Sequence, residues 1–184
     1  MFLINRFLSG NLFSQFQDKA ATGGHLQCQL LAGVVGLAPQ LVVLGVVVGV
    51  DAIGEQGDVD TAIITMKMAN GALAVIDNSR RAAYGYDQRA ELFGSKGMVA
   101  TSNDTLSSAV LSNADGVTGE KPLFFFLERY MESFSEEMRQ FVAAVENDTE
   151  VPVGIHAGMQ SVKIGLAAKK SVAEHRPVAL SEIE

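Results

Sequence analysis

Apolar and polar residues alternate over 61–68: Ile64, Met66 and Met68 fall on one side of the chain, Thr65 and Lys67 on the other. A period of two sends successive side chains to opposite faces, so this pattern predicts a half-buried strand. Asn70-Gly71 follows, with a return strand over 72–78. The dipeptide predicts a two-residue type I′ turn, in which both positions take positive φ. Alternation resumes over 84–93, and Gly94-Ser95-Lys96-Gly97 turns the chain into another strand at 98–101. The small, β-tolerant residues over 105–112 predict one more. Short strands joined by tight turns make an antiparallel sheet. The period then changes. Leu127, Tyr130, Phe134, Met138, Phe141 and Val145 recur at steps of three and four, with Glu128, Glu132, Glu136 and Arg139 between them. This predicts an amphipathic helix over 125–146, ended by Asn147-Asp148. An Ala-rich helix over 157–174 follows, with Met159, Val162 and Leu166 facing inward, and 176–180 closes the domain as a short edge strand. Strands first and helices afterwards predict an α+β fold: an open, mostly antiparallel sheet with helices on one face, whose other face needs a partner.

Upstream the signals weaken. Residues 1–50 are Phe-rich and polar, then Gly-rich and apolar, with no clean period until a Val-rich run at 40–50 that suits a buried strand. Residues 51–60 read as an acidic loop. The chain therefore divides into an atypical leader, 1–50, and a domain, 51–184. Residues 26–50 carry no charge and are long enough to span a bilayer. Gln27, Gln29, Pro39 and Gln40 break that run, which favours strand over membrane anchor. A cleavable signal peptide is disfavoured because Asp18 and Lys19 precede the apolar run.

Composition narrows the function. Lys plus Arg is 14 against 21 Asp plus Glu, a net charge of -7, which disfavours a nucleic-acid partner. The single cysteine, Cys28, excludes an internal disulfide and a Cys-rich metal site, and fits a reducing, cytoplasmic setting. His156 and His175 read as surface or helix-end residues. Glu132, Glu136 and Glu137 read as a solvated helix face, and the methionines and Phe124–Phe126 as core or interface.

Several long segments then point one way. They are Ala52-Ile53-Gly54-Glu55-Gln56-Gly57-Asp58-Val59-Asp60-Thr61-Ala62; Ala69-Asn70-Gly71-Ala72-Leu73-Ala74-Val75-Ile76-Asp77-Asn78-Ser79-Arg80; Tyr84-Gly85-Tyr86-Asp87-Gln88-Arg89 with Glu91-Leu92-Phe93-Gly94-Ser95-Lys96-Gly97-Met98; and Phe125-Phe126-Leu127-Glu128-Arg129-Tyr130. In this order the chain resembles the inositol 2-dehydrogenases of the glucose–fructose oxidoreductase and inositol dehydrogenase family (Gfo/Idh/MocA). The resemblance implies an amino-terminal Rossmann domain for NAD and a carboxy-terminal α/β domain whose open sheet packs against other subunits, giving a homo-oligomer. It also implies oxidation of a cyclitol secondary alcohol, with hydride passing to the nicotinamide and a side-chain base taking the hydroxyl proton. The Tyr84–Arg89 segment would approach the inositol-like polyol. Tyr84 and Tyr86 offer hydroxyls and, on a strand, would share one face, with Tyr84 the better contact. Asp87 and Arg89 share the other face and either pair across the sheet or touch ligand. Asn78 and Arg80 end the hairpin and serve either its turn or the pocket mouth.

The same resemblance exposes gaps. A dinucleotide site needs a Gly-x-Gly-x-x-Gly turn, which is not found; Gly33-x-x-Gly36 and Gly45-x-x-x-Gly49 lack its tight start. Glu120-Lys121-Pro122 matches the family's catalytic Lys motif, yet its surroundings match a late segment, so Lys121 reads as a solvated loop residue. His25 stands where an Asp-x-x-x-His pattern is expected, with no matching Asp. Catalytic residues and an NAD site are thus not expected in these 184 residues, which should be inactive alone. The match fades upstream of Val50, as a shifted reading frame or an unrelated leader would produce. Two alternatives remain: a non-enzymatic, self-associating sheet domain, and a membrane-tethered domain anchored by 26–50.

Overall fold

The computed structural model describes residues 7–8, 42–48, 55, 59–80 and 82–184. His25, Cys28, Gly33, Gly36 and Gly49 lie outside them, as does most of the segment 51–58.

The predicted hairpin forms. Strand β3 (Thr61–Lys67) pairs antiparallel with β4 (Leu73–Ser79), in a register that sets Ile64 opposite Ile76 and Met66 opposite Ala74. Ile64, Met66 and Met68 are buried and Thr65 and Lys67 exposed, so the alternation assigned the inner face correctly. The turn differs. Met68 and Ala72 still share a hydrogen bond (2.9 Å), and the Gly71 N–H donates to the Met68 carbonyl (3.0 Å), so the connection is Ala69-Asn70-Gly71. Gly71 has φ 82°, whereas Asn70 is not at positive φ, and its side chain accepts from the Ala72 N–H (3.1 Å). That is the three-residue form, a turn followed by a left-handed glycine. Alanine at Gly71 would meet no atom within 4 Å, so only the backbone term applies. Gly71→Ala is expected to cost about 1 kcal/mol by urea denaturation.

On the far side of β3 lies β2 (Val42–Val48), flanked in turn by β9 (Val178–Ala179), giving the order β4-β3-β2-β9, antiparallel throughout. The Val-rich run and the edge strand are thus confirmed. Part of the uncharged stretch 26–50 is consequently a strand paired on both sides, and no helix among the described residues is long and apolar enough to cross a membrane. A second sheet has the order β1-β5-β6: β1 (Phe7–Leu8) runs parallel to β5 (Glu91–Gly94), which is antiparallel to β6 (Gly97–Ala100). The strand expected over 105–112 forms later, as the exposed hairpin β7 (Val110–Asn113) and β8 (Gly116–Gly119); Thr105 makes only a single bridge with Pro122.

The helices are α1 (Phe126–Glu146) and α2 (Ile155–Glu174), so the α+β class holds. Helix α2 covers one face of the four-stranded sheet, and the core comprises Ile64, Met66, Met68, Ala72 and Ala74 against Ile164, Ala167 and Ala168, with Val178 and Leu180. The inward face of α2 was misread. Met159, Val162 and Leu166 are exposed, and the alanines face the sheet because their small side chains let the helix approach it closely. In α1 the apolar stripe formed by Leu127, Phe134, Met138, Phe141 and Val145 is exposed, and Arg129 and Ala144 are buried instead. No described helix or strand packs extensively on α1; its anchor is polar and lies at the candidate site.

Candidate functional site

Residues 84–90 do not form the strand that their alternation predicts. Their backbone donors go to three different places. Gly85 N–H reaches the Ala82 carbonyl (3.3 Å), Tyr86 N–H the Leu123 carbonyl (2.9 Å), and Gln88 N–H the Asn103 side-chain oxygen (2.8 Å). A ladder needs one neighbour, and this segment has several. Gly85 makes the route possible. It sits at φ 146°, and a Cβ there would lie 2.6 Å from the Pro122 carbonyl oxygen. The Glu120-Lys121-Pro122 motif therefore serves as the wall on which Gly85 rests, with Lys121 exposed.

Asp87 is the centre of the segment, its side chain 1% exposed. Its Oδ1 accepts from Arg89 Nε (2.8 Å) and Asn103 Nδ2 (2.6 Å), and its Oδ2 accepts from the second Arg89 nitrogen (3.0 Å) and from the Tyr84 hydroxyl. Arg89 thus grips Asp87 as a two-pronged fork. Asp87 and Arg89 do pair, but with each other along the chain rather than across a sheet. Asn103 ties this carboxylate to the Gln88 backbone, and Ala90 and Thr101 exchange two further bonds below it (2.8 and 3.0 Å).

Helix α1 closes the other side. Arg129, buried, donates to the Gln88 carbonyl (3.0 Å) and to Asp104 (3.3 Å). The Tyr130 hydroxyl donates to the Gln88 side chain, and the Tyr130 ring meets Tyr86 edge-on with centroids 5.5 Å apart. Tyr84 and Tyr86 remain exposed at the surface; Tyr84, Asp87 and Arg89 are brought into one hydrogen-bonded cluster, whereas the Tyr86 ring turns to Tyr130. Asn78 lies half-buried within β4, paired with Ala62, and Arg80 is exposed just past the strand, its N–H bonded to the Asp60 carbonyl (2.8 Å), so Arg80 serves the hairpin end. Sequence reasoning missed Gln88, Asn103, Asp104 and Arg129; only the quoted Arg129-Tyr130 match hinted at the last. His156 and His175 are exposed, the latter capping α2 at φ 51°.

The electrostatics follow from these bonds. Burial by itself would raise the Asp87 carboxyl, but the hydrogen bonds from Arg89, Tyr84 and Asn103 outweigh it and hold its pKa at about 2. The same bond to Asp87 raises the Tyr84 phenol, so Tyr84 stays protonated and is a hydrogen-bonding group rather than a base. Burial, and then Tyr86, raise Tyr130. A carboxyl whose folded pKa is depressed stabilises the fold above its unfolded value and loses that contribution as pH falls through the folded one. Stability is therefore expected to drop by roughly 2 kcal/mol between pH 3.8 and about 2 on account of Asp87, a drop that Asp87→Asn should remove from urea titrations.

Among the described residues, no strand runs through a Gly-rich turn into the start of a helix. A pyrophosphate needs unoccupied N–H groups at a helix start that follows a strand and a Gly-rich turn. Just before α1, Phe124 N–H and Phe125 N–H serve the Glu128 carboxylate (3.2 Å each), and no strand leads into α2. Among the described residues no group of three or more His, Cys, Asp or Glu could hold a metal ion.

Comparison with known proteins gives the context. Residues 36–180 match the family model described as the C-terminal alpha/beta domain of the Gfo/Idh/MocA oxidoreductases. The chain is 48% identical over 130 residues to the uncharacterized oxidoreductase YrbE of Bacillus subtilis, and 46% identical over 133 residues to a myo-inositol 2-dehydrogenase of Thermotoga maritima. These stretches are 71% and 72% of this chain but only 38% and 40% of those relatives, so the chain spans about two fifths of their length. Among solved structures it is similar to a probable dehydrogenase from Thermotoga maritima (TM-score 0.76, 36% identity, all of this chain and 56% of that one). It is also similar to a putative myo-inositol dehydrogenase from Sinorhizobium meliloti (TM-score 0.77, 30% identity, 97% of this chain and 55% of that one).

Proposed function

Since the chain belongs to the Gfo/Idh/MocA oxidoreductase family, whose C-terminal alpha/beta domain it carries, we propose that it is the substrate side of an NAD-dependent inositol 2-dehydrogenase. The observation that carries this reading is the 46% identity over 133 residues to the myo-inositol 2-dehydrogenase of Thermotoga maritima. The reaction is oxidation of a cyclitol secondary alcohol to a ketone. When bound, NAD supplies the hydride acceptor, and a dinucleotide-binding region outside the described residues holds it.

The described residues bind and orient. A polyol is recognised by hydrogen bonds matched to its hydroxyls, each costly to leave unmade in a site closed to water. Tyr84 and Tyr86 are exposed, and Arg89, half-buried, lies with Asp87 beside Tyr84. The raised phenol of Tyr84 keeps its proton, so Tyr84 orients the ring and another group takes the reacting proton.

The test is direct. The purified 184-residue chain is expected to bind myo-inositol weakly, to bind no NAD, and to form no NADH from the two together. Inositol-dependent NADH formation by this chain would overturn the division of labour, and absence of any cyclitol binding would overturn the substrate reading.

Self-association through the open sheet face, in a cytoplasmic homo-oligomer, is the second part of the reading. It is supported by Ile63 and Leu73, both exposed on the side of the hairpin away from α2. Sedimentation is expected to give a dimer or larger species, and Ile63→Lys with Leu73→Lys to shift it toward monomer. A wild-type monomer at all concentrations would count against it.

A further inference from the structure

The saturation of Asp87 says more about how this segment reads a ligand. An ionised carboxylate offers about four lone-pair sites. Here each oxygen already accepts from two donors, Arg89 and Asn103 on Oδ1, Arg89 and Tyr84 on Oδ2. The side chain is 1% exposed, so a ligand can neither reach it nor find an acceptor on it. The groups it holds are different. Tyr84 is 47% exposed, and its single hydroxyl proton is committed inward. Its oxygen also accepts from the Arg89 guanidinium, so what Tyr84 has left for the outside is one lone pair and no donor.

We propose that Asp87 is a positioning residue that makes Tyr84 an acceptor-only contact, so that the site selects a ligand hydroxyl able to donate a hydrogen bond. This rests on the polyol reading above. Asn103 and Arg89 hold the carboxylate still: Asn103 from the Gln88 backbone, and Arg89 by its fork. A free tyrosine rotates its hydroxyl and serves donor or acceptor alike; this one does not. The discrimination it confers is against ligands whose matching oxygen is alkylated or lacks hydrogen, because such an oxygen would face the remaining Tyr84 lone pair with no proton between them.

The chain has three tyrosines, Tyr84, Tyr86 and Tyr130, so ring-carbon NMR resolves each, with Tyr84→Phe giving the assignment. In Asp87→Asn the Tyr84 resonance is expected to titrate at lower pH than in the wild type, and myo-inositol, followed by shifts of the tyrosine signals, to bind about tenfold more weakly. Asp87→Glu, which keeps the carboxylate, should recover part of both effects. Wild-type titration and wild-type affinity in Asp87→Asn would overturn the proposal while leaving the polyol reading standing. A wild-type chain whose tyrosine signals ignore myo-inositol would fail the polyol reading first and the proposal with it.

If Asp87→Asn does not fold, Tyr84→Phe decides, since it leaves the Arg89 and Asn103 bonds to Asp87 in place. The wild type is expected to prefer myo-inositol over its mono-O-methyl ethers by about tenfold, and Tyr84→Phe, equal in ring size, to lose that preference. An undiminished preference in Tyr84→Phe would overturn the proposal, because bulk alone would then explain it.

Discussion

Gly85→Ala is expected to destabilise the domain by about 3 kcal/mol and to disorder the Tyr84–Arg89 segment. Two costs coincide. The backbone at φ 146° is one that L side chains rarely adopt, and the new Cβ would lie 2.6 Å from the Pro122 carbonyl oxygen and 3.0 Å from the Pro122 Cβ. Neither neighbour is the end of a flexible side chain, so the 122–123 segment must move away. That movement would break the bond from Tyr86 N–H to the Leu123 carbonyl, which fixes the register of the segment. Gly71→Ala is the internal control: also at positive φ, but with no atom within 4 Å of the added methyl. Urea midpoints measure both. A Gly85→Ala midpoint no lower than that of Gly71→Ala would mean that the Pro122 wall yields freely.

Arg129→Ala is expected to cost a similar amount, about 3 kcal/mol, and to release α1 from the site. The side chain is 3% exposed, so truncation leaves a cavity as well as lost bonds. The Gln88 carbonyl would lose its charged donor, and Asp104 its ion pair, though Asp104 is half exposed and matters less. Because α1 packs extensively on no other described element, this polar anchor and the Tyr130 contacts with Gln88 and Tyr86 are its main attachments among the described residues. Arg129→Lys should rescue little, since an ammonium cannot reach both partners as a planar fork does. Denaturant unfolding gives the stability, and the Tyr86 ring signal reports whether Tyr130 still lies against it. A stable Arg129→Ala chain with an unchanged Tyr86 signal would show that α1 is held elsewhere.

What the residues alone determined is the local part. The alternation at 61–68 named the strand and its inner face, Ile64, Met66 and Met68, and the three-and-four spacing bounded α1 to within a residue of its observed start. The spaced segments from Ala52 to Tyr130 carried the family, since several matches in order constrain more than any short motif. Periodicity succeeds there because it reports the geometry of one element, and neighbours in sequence set it.

Tertiary structure decided the rest. Periodicity shows that α2 has an apolar side, but not that its alanines win the sheet over Met159, Val162 and Leu166; closeness of approach chose them. Alternation over 84–90 looks like a strand, yet the partners of that segment are Asn103, Leu123 and Arg129, up to 41 residues away, and no ladder joins them. That Asn103 and Arg89 both bond to Asp87 follows from packing, and only Arg89 is a near neighbour in sequence. A hydrogen bond depends on where distant donors arrive, and that information resides in the packed fold rather than in any window of the chain.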